Sequence, residues 1–245
     1  MADIKPIETF YNGYRFRSRL EAKWAVFFDA LDVEYEYEPE GFSFPPHNIN
    51  YLPDFYLPRH NAYIEIKPCN ALDVYLDETE ATCTINGNTK QEGIKYSVAW
   101  QSLSNEHTFI LFQGDPYDIM FQNHGGKGSA YIWCKSECVI HVLAKTSNKK
   151  VSSTCCNDCS KCDNYLHPCC FEGFSGFTKD RIIIGGEYNL LPYDSDYFFL
   201  LYIDENNKMK SLTGESRQEI TDAIMKNIAA SEKARQARFE HGECG

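Results

Sequence analysis

Residues 51 to 68 read YLPDFYLPRHNAYIEIKP, and the alternation at the end of this stretch constrains the fold most tightly. Successive side chains of a strand point to opposite faces. Tyr63, Glu65 and Lys67 therefore share one face, and Ile64 and Ile66 share the other. The isoleucines read as the buried face, which predicts a polar, open face for Glu65 and Lys67. An acid and a base then stand side by side, with a second acid, Asp54, upstream after Pro53.

The flanking segments predict alternating helices and strands. Leu20, Trp24, Phe27, Phe28 and Leu31 fall on one stripe at helical spacing. Ser18 and Glu21 have capping-box spacing, so this helix is expected to begin near Ser18. In VEYEYEPEGFSF the glutamates alternate against Val33, Tyr35 and Tyr37, a period-two strand that Pro45 and Pro46 end. A helix is expected from about Gln91 to Leu103, then a buried strand in TFILFQGDP. AYIWC and CVIHVLA read as two strands joined by a turn, and RIIIGG and YFFLLYID as later strands. A last helix is expected over roughly Glu215 to Phe239, with Ile220, Ile224 and Ile228 as its apolar repeat and a basic second half. No internal repeat is apparent.

The chain has 245 residues, of which 43% are hydrophobic and 14% aromatic, enough for a sizeable core in one large or two modest domains. A net charge of -11 argues against coating the whole surface with nucleic acid. It leaves room for a local basic groove, because fields are screened within about 10 Å. With no opening apolar run and no long apolar stretch, no signal peptide and no membrane span are expected, and the expected location is cytoplasmic. Eleven cysteines in such a chain read as reduced thiols or metal ligands ahead of disulfides.

The order helix, strand, Pro53-Asp54, strand with Glu65-Ile66-Lys67 resembles the PD-(D/E)xK nuclease superfamily. YNGYRFRSRLEAKWAVFFDALDVEYEYEPEGFSF, YLPDF, IEIKP, LFQGDP and ARQARFEHGE are similar to a group of phage and viral endonuclease-like proteins. The resemblance covers residues 10 to 68, 109 to 116 and 234 to 243. It implies an α/β fold with a restriction-endonuclease-like mixed sheet flanked by helices. It also implies hydrolysis of phosphodiester bonds with Mg²⁺ or Mn²⁺, in DNA ahead of RNA and as an endonuclease ahead of an exonuclease. Glu21, Asp54, Glu65 and Lys67 are then the catalytic residues. Asp54, Glu65 and the Ile66 backbone carbonyl are the expected ligands, since hard divalent cations take oxygen donors. Lys67 would orient the attacking water or neutralise developing charge.

Each residue has a plainer reading. Asp54 after Pro53 can make a turn hydrogen bond. Glu65 and Lys67 can be a solvated pair, and Glu21 the capping partner of Ser18. The metal site rests on all four together. The alternative function is a non-catalytic adaptor that binds nucleic acid or protein through a cysteine-rich module.

That module spans CCNDCSKCDNYLHPCC, where Cys156, Cys159 and Cys162 have zinc-ligand spacing and Cys134 and Cys138 form a looser pair. A structural Zn²⁺ site comes first, with an iron-sulfur cluster, disulfides and free thiols as competing readings. The expected division is a nuclease core over 1–144, a cysteine-rich insertion over 145–180, and late strands with the last helix over 181–245 completing the domain. Arg15, Arg17 and Arg19 surround the first helix start and are the candidate substrate-binding residues.

Overall fold

The computed structural model describes residues 6–76, 83–87, 89–120, 128–134, 137–138, 150–151, 165–166, 171–188, 198–203, 209–211 and 217–239. It begins with a hairpin of β1 (Thr9–Tyr11) and β2 (Tyr14–Phe16), turned by Asn12 and Gly13 at positive φ. Helix α1 (Arg19–Ala30) follows. Ser18 caps it as the spacing predicts, with Glu21 N donating to Ser18 Oγ at 3.2 Å, while the Glu21 carboxylate takes the Ser18 hydroxyl at 2.8 Å and Arg17 N–H at 3.1 Å in place of Ser18 N–H.

The chain then forms β3 (Glu36–Tyr37), β4 (Phe42–Phe44), β5 (Ile49–Tyr51), β6 (Phe55–Leu57) and β7 (Ala62–Lys67). The long alternating strand expected after residue 33 is cut short. Glu38 takes φ 48, a left-handed conformation that breaks the pleat before Pro39. Pro-x-His-Asn occurs twice and folds the same way twice. Pro45–His47 and Pro58–His60 are 3₁₀ turns, closed by Asn48 and Asn61 at φ 50 and 47, and they feed β5 and β7. Asparagine tolerates that conformation better than most residues.

Next come β8 (Asp73–Leu76), β9 (Cys83–Asn86), α2 (Lys90–Leu103), β10 (Thr108–Gln113), the short α3 (Pro116–Met120), β11 (Ser129–Cys134) and β12 (Glu137–Cys138). The fold is α/β, with a mixed sheet of order β12-β11-β10-β7-β6-β3 flanked by helices. Within this sheet β7 and β10 are the parallel pair, in register Ile64 with Ile110 and Glu65 with Leu111. Central strands next to a parallel partner are covered on both faces. Here α1 packs on the Ile64 and Ile66 face, where Trp24 stacks on Phe112 at 4.2 Å. On the other face α2 brings Trp100 to stack on Trp133 at 5.5 Å.

This corrects the open face expected for Glu65 and Lys67. Tyr63 and Glu65 are as buried as the isoleucines, and Lys67 is half-buried beneath α2. Period-two alternation tells which side chains share a face, but not whether a helix covers that face.

Beyond the first sheet lie β13 (Lys150–Val151) and β14 (Tyr165–Leu166), then β15 (Phe171–Phe177), β16 (Ile182–Tyr188), β17 (Phe198–Ile203) and β18 (Met209–Ser211). The last four form one antiparallel sheet in chain order. Phe177 joins it to the first core by edge contacts with Phe28 and Phe112. Helix α4 (Arg217–Gln236) packs on α1 and α3.

On α4, Asn227, Ala230, Ser231 and Ala234 are buried among the described side chains, with Ile224 and Ile228 of the expected repeat half-buried and the Ile220 side chain outside the described residues. Small side chains allow close approach, and Asn227 takes Phe177 N–H at 2.9 Å and gives Nδ2–H to Phe177 O at 2.7 Å. Its amide thus continues the β15 edge as a strand would. Among the described residues no helix is long and apolar enough to cross a membrane.

Candidate active site

The site forms where β6 begins and β7 ends. Asp54 N donates to Ile64 O at 3.0 Å, which locks the residue before β6 onto β7. Its side chain then continues the ladder: Ile66 N donates to Asp54 Oδ2 at 2.7 Å. The Ile66 carbonyl lies on the same side of β7 as its N–H, past the first residue of β6. Asp54 and Glu65 are each 2% exposed, so Glu65 is not in a solvated pair, and the Asp54 side chain bonds across to β7.

Glu65 is held by two groups. Tyr51, 1% exposed, donates its hydroxyl to Oε2 at 2.8 Å, and Lys67 Nζ lies 2.5 Å from Oε1. The Lys67 ammonium also lies 5.2 Å from the centre of the Tyr96 ring on α2. Glu21 reaches the site from α1, 8% exposed, with Oε2 accepting from Tyr37 Oη at 2.6 Å and from Arg17 N at 3.1 Å. It is thus both the capping partner of Ser18 and a member of the cluster.

Arg17 ties the cluster together. Its Nη2 lies 2.6 Å from Asp54 Oδ1, and its Nε lies 2.6 Å from Glu38 Oε1. Three buried carboxylates, Glu21, Asp54 and Glu65, thus face two side-chain cations. Burial and then the charge of Glu65 push the Asp54 carboxyl well above its usual range. Burial alone would lower the Lys67 pKa, but the charges of Glu65 and Asp54 outweigh it and hold the ammonium protonated. The two carboxylates thus favour the charged form of Lys67.

As donors, Asp54 Oδ1, a Glu65 oxygen and the Ile66 carbonyl suit a hard divalent cation. Arg17 and Lys67 compensate the two carboxylates, and no group of three His, Cys, Asp or Glu among the described residues is arranged to hold a metal ion.

The three candidate arginines part company. Arg15 pairs with Glu8 on the first hairpin, Arg17 enters the carboxylate cluster, and Arg19 lines a pocket beside α1. Of the cysteines proposed for zinc, Cys134 is buried in the core at the end of β11, and Cys138 is placed by its backbone in β12. Cys156, Cys159 and Cys162 lie outside the described residues. Tyr37, Glu38, Tyr51 and Tyr96 were not singled out from the sequence. For Tyr51 a signal exists, since it lies two residues before Pro53-Asp54 and shares a strand face with Ile49.

No protein-family model, curated protein or solved structure matches the chain.

Proposed function

We propose that the chain is a metal-dependent nuclease with a restriction-endonuclease-like core, hydrolysing phosphodiester bonds in DNA ahead of RNA. The observation that carries this reading is the pair of buried carboxylates, Asp54 just before β6 and Glu65 on the adjacent β7. Burying like charges is costly, and such clusters concentrate at functional sites. The order helix, strand, Pro-Asp and Glu-x-Lys strand supports the same reading.

Asp54, Glu65 and the Ile66 carbonyl would hold Mg²⁺ or Mn²⁺. When bound, the ion would lower the pKa of a water and polarise the scissile phosphate. Lys67 would balance negative charge developing on the phosphate, and Tyr51 would keep the Glu65 carboxylate oriented. Arg17, half-exposed, would move from Asp54 Oδ1 to a substrate phosphate. The cysteine-rich insertion would carry a structural Zn²⁺.

The test is incubation of the purified chain with end-labelled DNA and RNA in Mg²⁺ or Mn²⁺, with and without EDTA. Cleavage that EDTA stops and Mn²⁺ restores supports the proposal. Cleavage unaffected by EDTA, or none on either polymer, overturns it.

A further inference from the structure

Helix α1 and the segment after α4 line a surface pocket of about 540 Å³, formed by Arg19, Leu20, Lys23, Ala237, Arg238 and Phe239. Arg19 and Lys23 lie one turn apart on α1 and present their charges together. Lys23 Nζ is compensated by Asp115 Oδ2 at 2.7 Å. Arg19 and Arg238 have no acidic partner among the described residues. A chain of charge -11 thus presents two exposed guanidinium groups at one concavity with no acidic partner among the described residues. Guanidinium groups bind phosphate oxygens bidentately.

The apolar wall is also fitted to a ligand. Phe239 is half-buried, and its ring is braced edge-on by Tyr11 at 6.1 Å. A braced aromatic beside cations is the arrangement that stacks a base while its backbone is held. The volume lies within the ordinary range for ligand pockets, about 300–1,000 Å³.

One loop links the pocket to the end of β7. Asp115, which holds Lys23, follows Gly114, whose N–H donates to Lys67 O at 2.8 Å. Trp24 Nε1 donates to Gly114 O at 3.1 Å, so the same loop joins α1 to the end of β7. Arg17 in the cluster and Arg19 in the pocket are two residues apart, which places their Cα atoms within about 7 Å.

We propose that this pocket is a phosphodiester subsite that holds a backbone phosphate of the nucleic acid, within a few nucleotides of the bond at Asp54 and Glu65, with a base against Phe239. The inference rests on the nuclease reading and deepens it. It gives the segment after α4 a part in substrate binding and commits Arg19 and Arg238 to the polymer.

The test titrates labelled single-stranded and duplex oligonucleotides into wild type, Arg19→Ala/Arg238→Ala and Phe239→Ala in EDTA over a range of salt. Cleavage in Mg²⁺ is measured in parallel, and thermal melting checks folding. The double variant should lower the salt slope by about 1.8 on duplex DNA and about 1.4 on a single strand, one counterion-release increment per arginine. Phe239→Ala should weaken the single strand while leaving its slope unchanged. Wild-type slopes in the double variant would overturn the subsite, even if the wild type cleaves. Lost binding in that variant, together with a wild type that does not cleave, would sustain the subsite and remove the nuclease reading. Absence of oligonucleotide binding by the wild type would remove both. If a nucleoside monophosphate displaces the labelled strand as well as unlabelled oligonucleotide does, the pocket takes a free nucleotide and the strand subsite is wrong.

Discussion

Tyr51 gives its hydroxyl proton to Glu65 Oε2 at 2.8 Å, from a ring packed out of solvent on the face covered by α2. A buried carboxylate needs such a donor, because burial without one costs several kcal/mol. Tyr51→Phe keeps the ring and removes the bond. It should cost about 1.5–3 kcal/mol of stability, the range for hydrogen bonds to charged groups. Cleavage should fall further than the melting temperature implies, since Glu65 loses its orientation. Chemical denaturation alongside single-turnover cleavage checks both parts.

Asp54 makes the metal-free protein sensitive to pH. Its folded pKa is raised, by burial and by Glu65, so the folded state holds its proton more tightly than the unfolded chain does. The stabilising contribution is therefore complete below the unfolded carboxylate pKa, and it is lost as pH rises through the folded pKa. Without metal, stability should decline across that interval, and Asp54→Asn should flatten the decline. Mn²⁺ competes with the proton, so it should raise the wild-type melting temperature more at neutral than at acid pH. Melting curves over pH, with and without Mn²⁺, measure this.

Gly93 fixes the helix that covers the site. A Cβ there would lie 2.4 Å from Ile85 O, a backbone atom of β9 that cannot swing aside. Gly93→Ala should therefore lift α2 from β9 and cost about 1–3 kcal/mol, as overpacking does. Thermal unfolding reports the loss. A rise in stability, as a gain in helix propensity alone would give, would contradict this packing.

The cysteine cluster yields a prediction from its spacing. The full chain, purified without added metal, should carry about one zinc per molecule, held by thiolates. Elemental analysis measures it. A chain with neither zinc nor iron, and with its cysteines in disulfides by mass spectrometry, would remove the site.

Much of the framework was legible in the sequence because local rules decide it. The capping box at Ser18 and Glu21 marks the start of α1, and the apolar TFILFQ run is a fully buried strand. The depth of Glu65 was not legible, since α2 covers its face only through contacts made across the fold. Nor was the double role of Glu21, because one carboxylate serves both, Oε1 taking the Ser18 hydroxyl and Oε2 the Tyr37 hydroxyl. The isoleucine repeat marks α4 but not the small residues that allow its close packing, nor Asn227, whose partner Phe177 is distant in sequence.

The most direct test compares wild type with Glu65→Gln and Lys67→Ala in single-turnover cleavage of labelled DNA in Mg²⁺. Glutamine keeps the shape of residue 65 and an acceptor for Tyr51 while removing the metal-binding charge. The account predicts that both variants remain folded and that each slows cleavage by about 10²-fold or more, the usual loss when one charge-stabilising group is removed. A Glu65→Gln protein that cuts at the wild-type rate would contradict it.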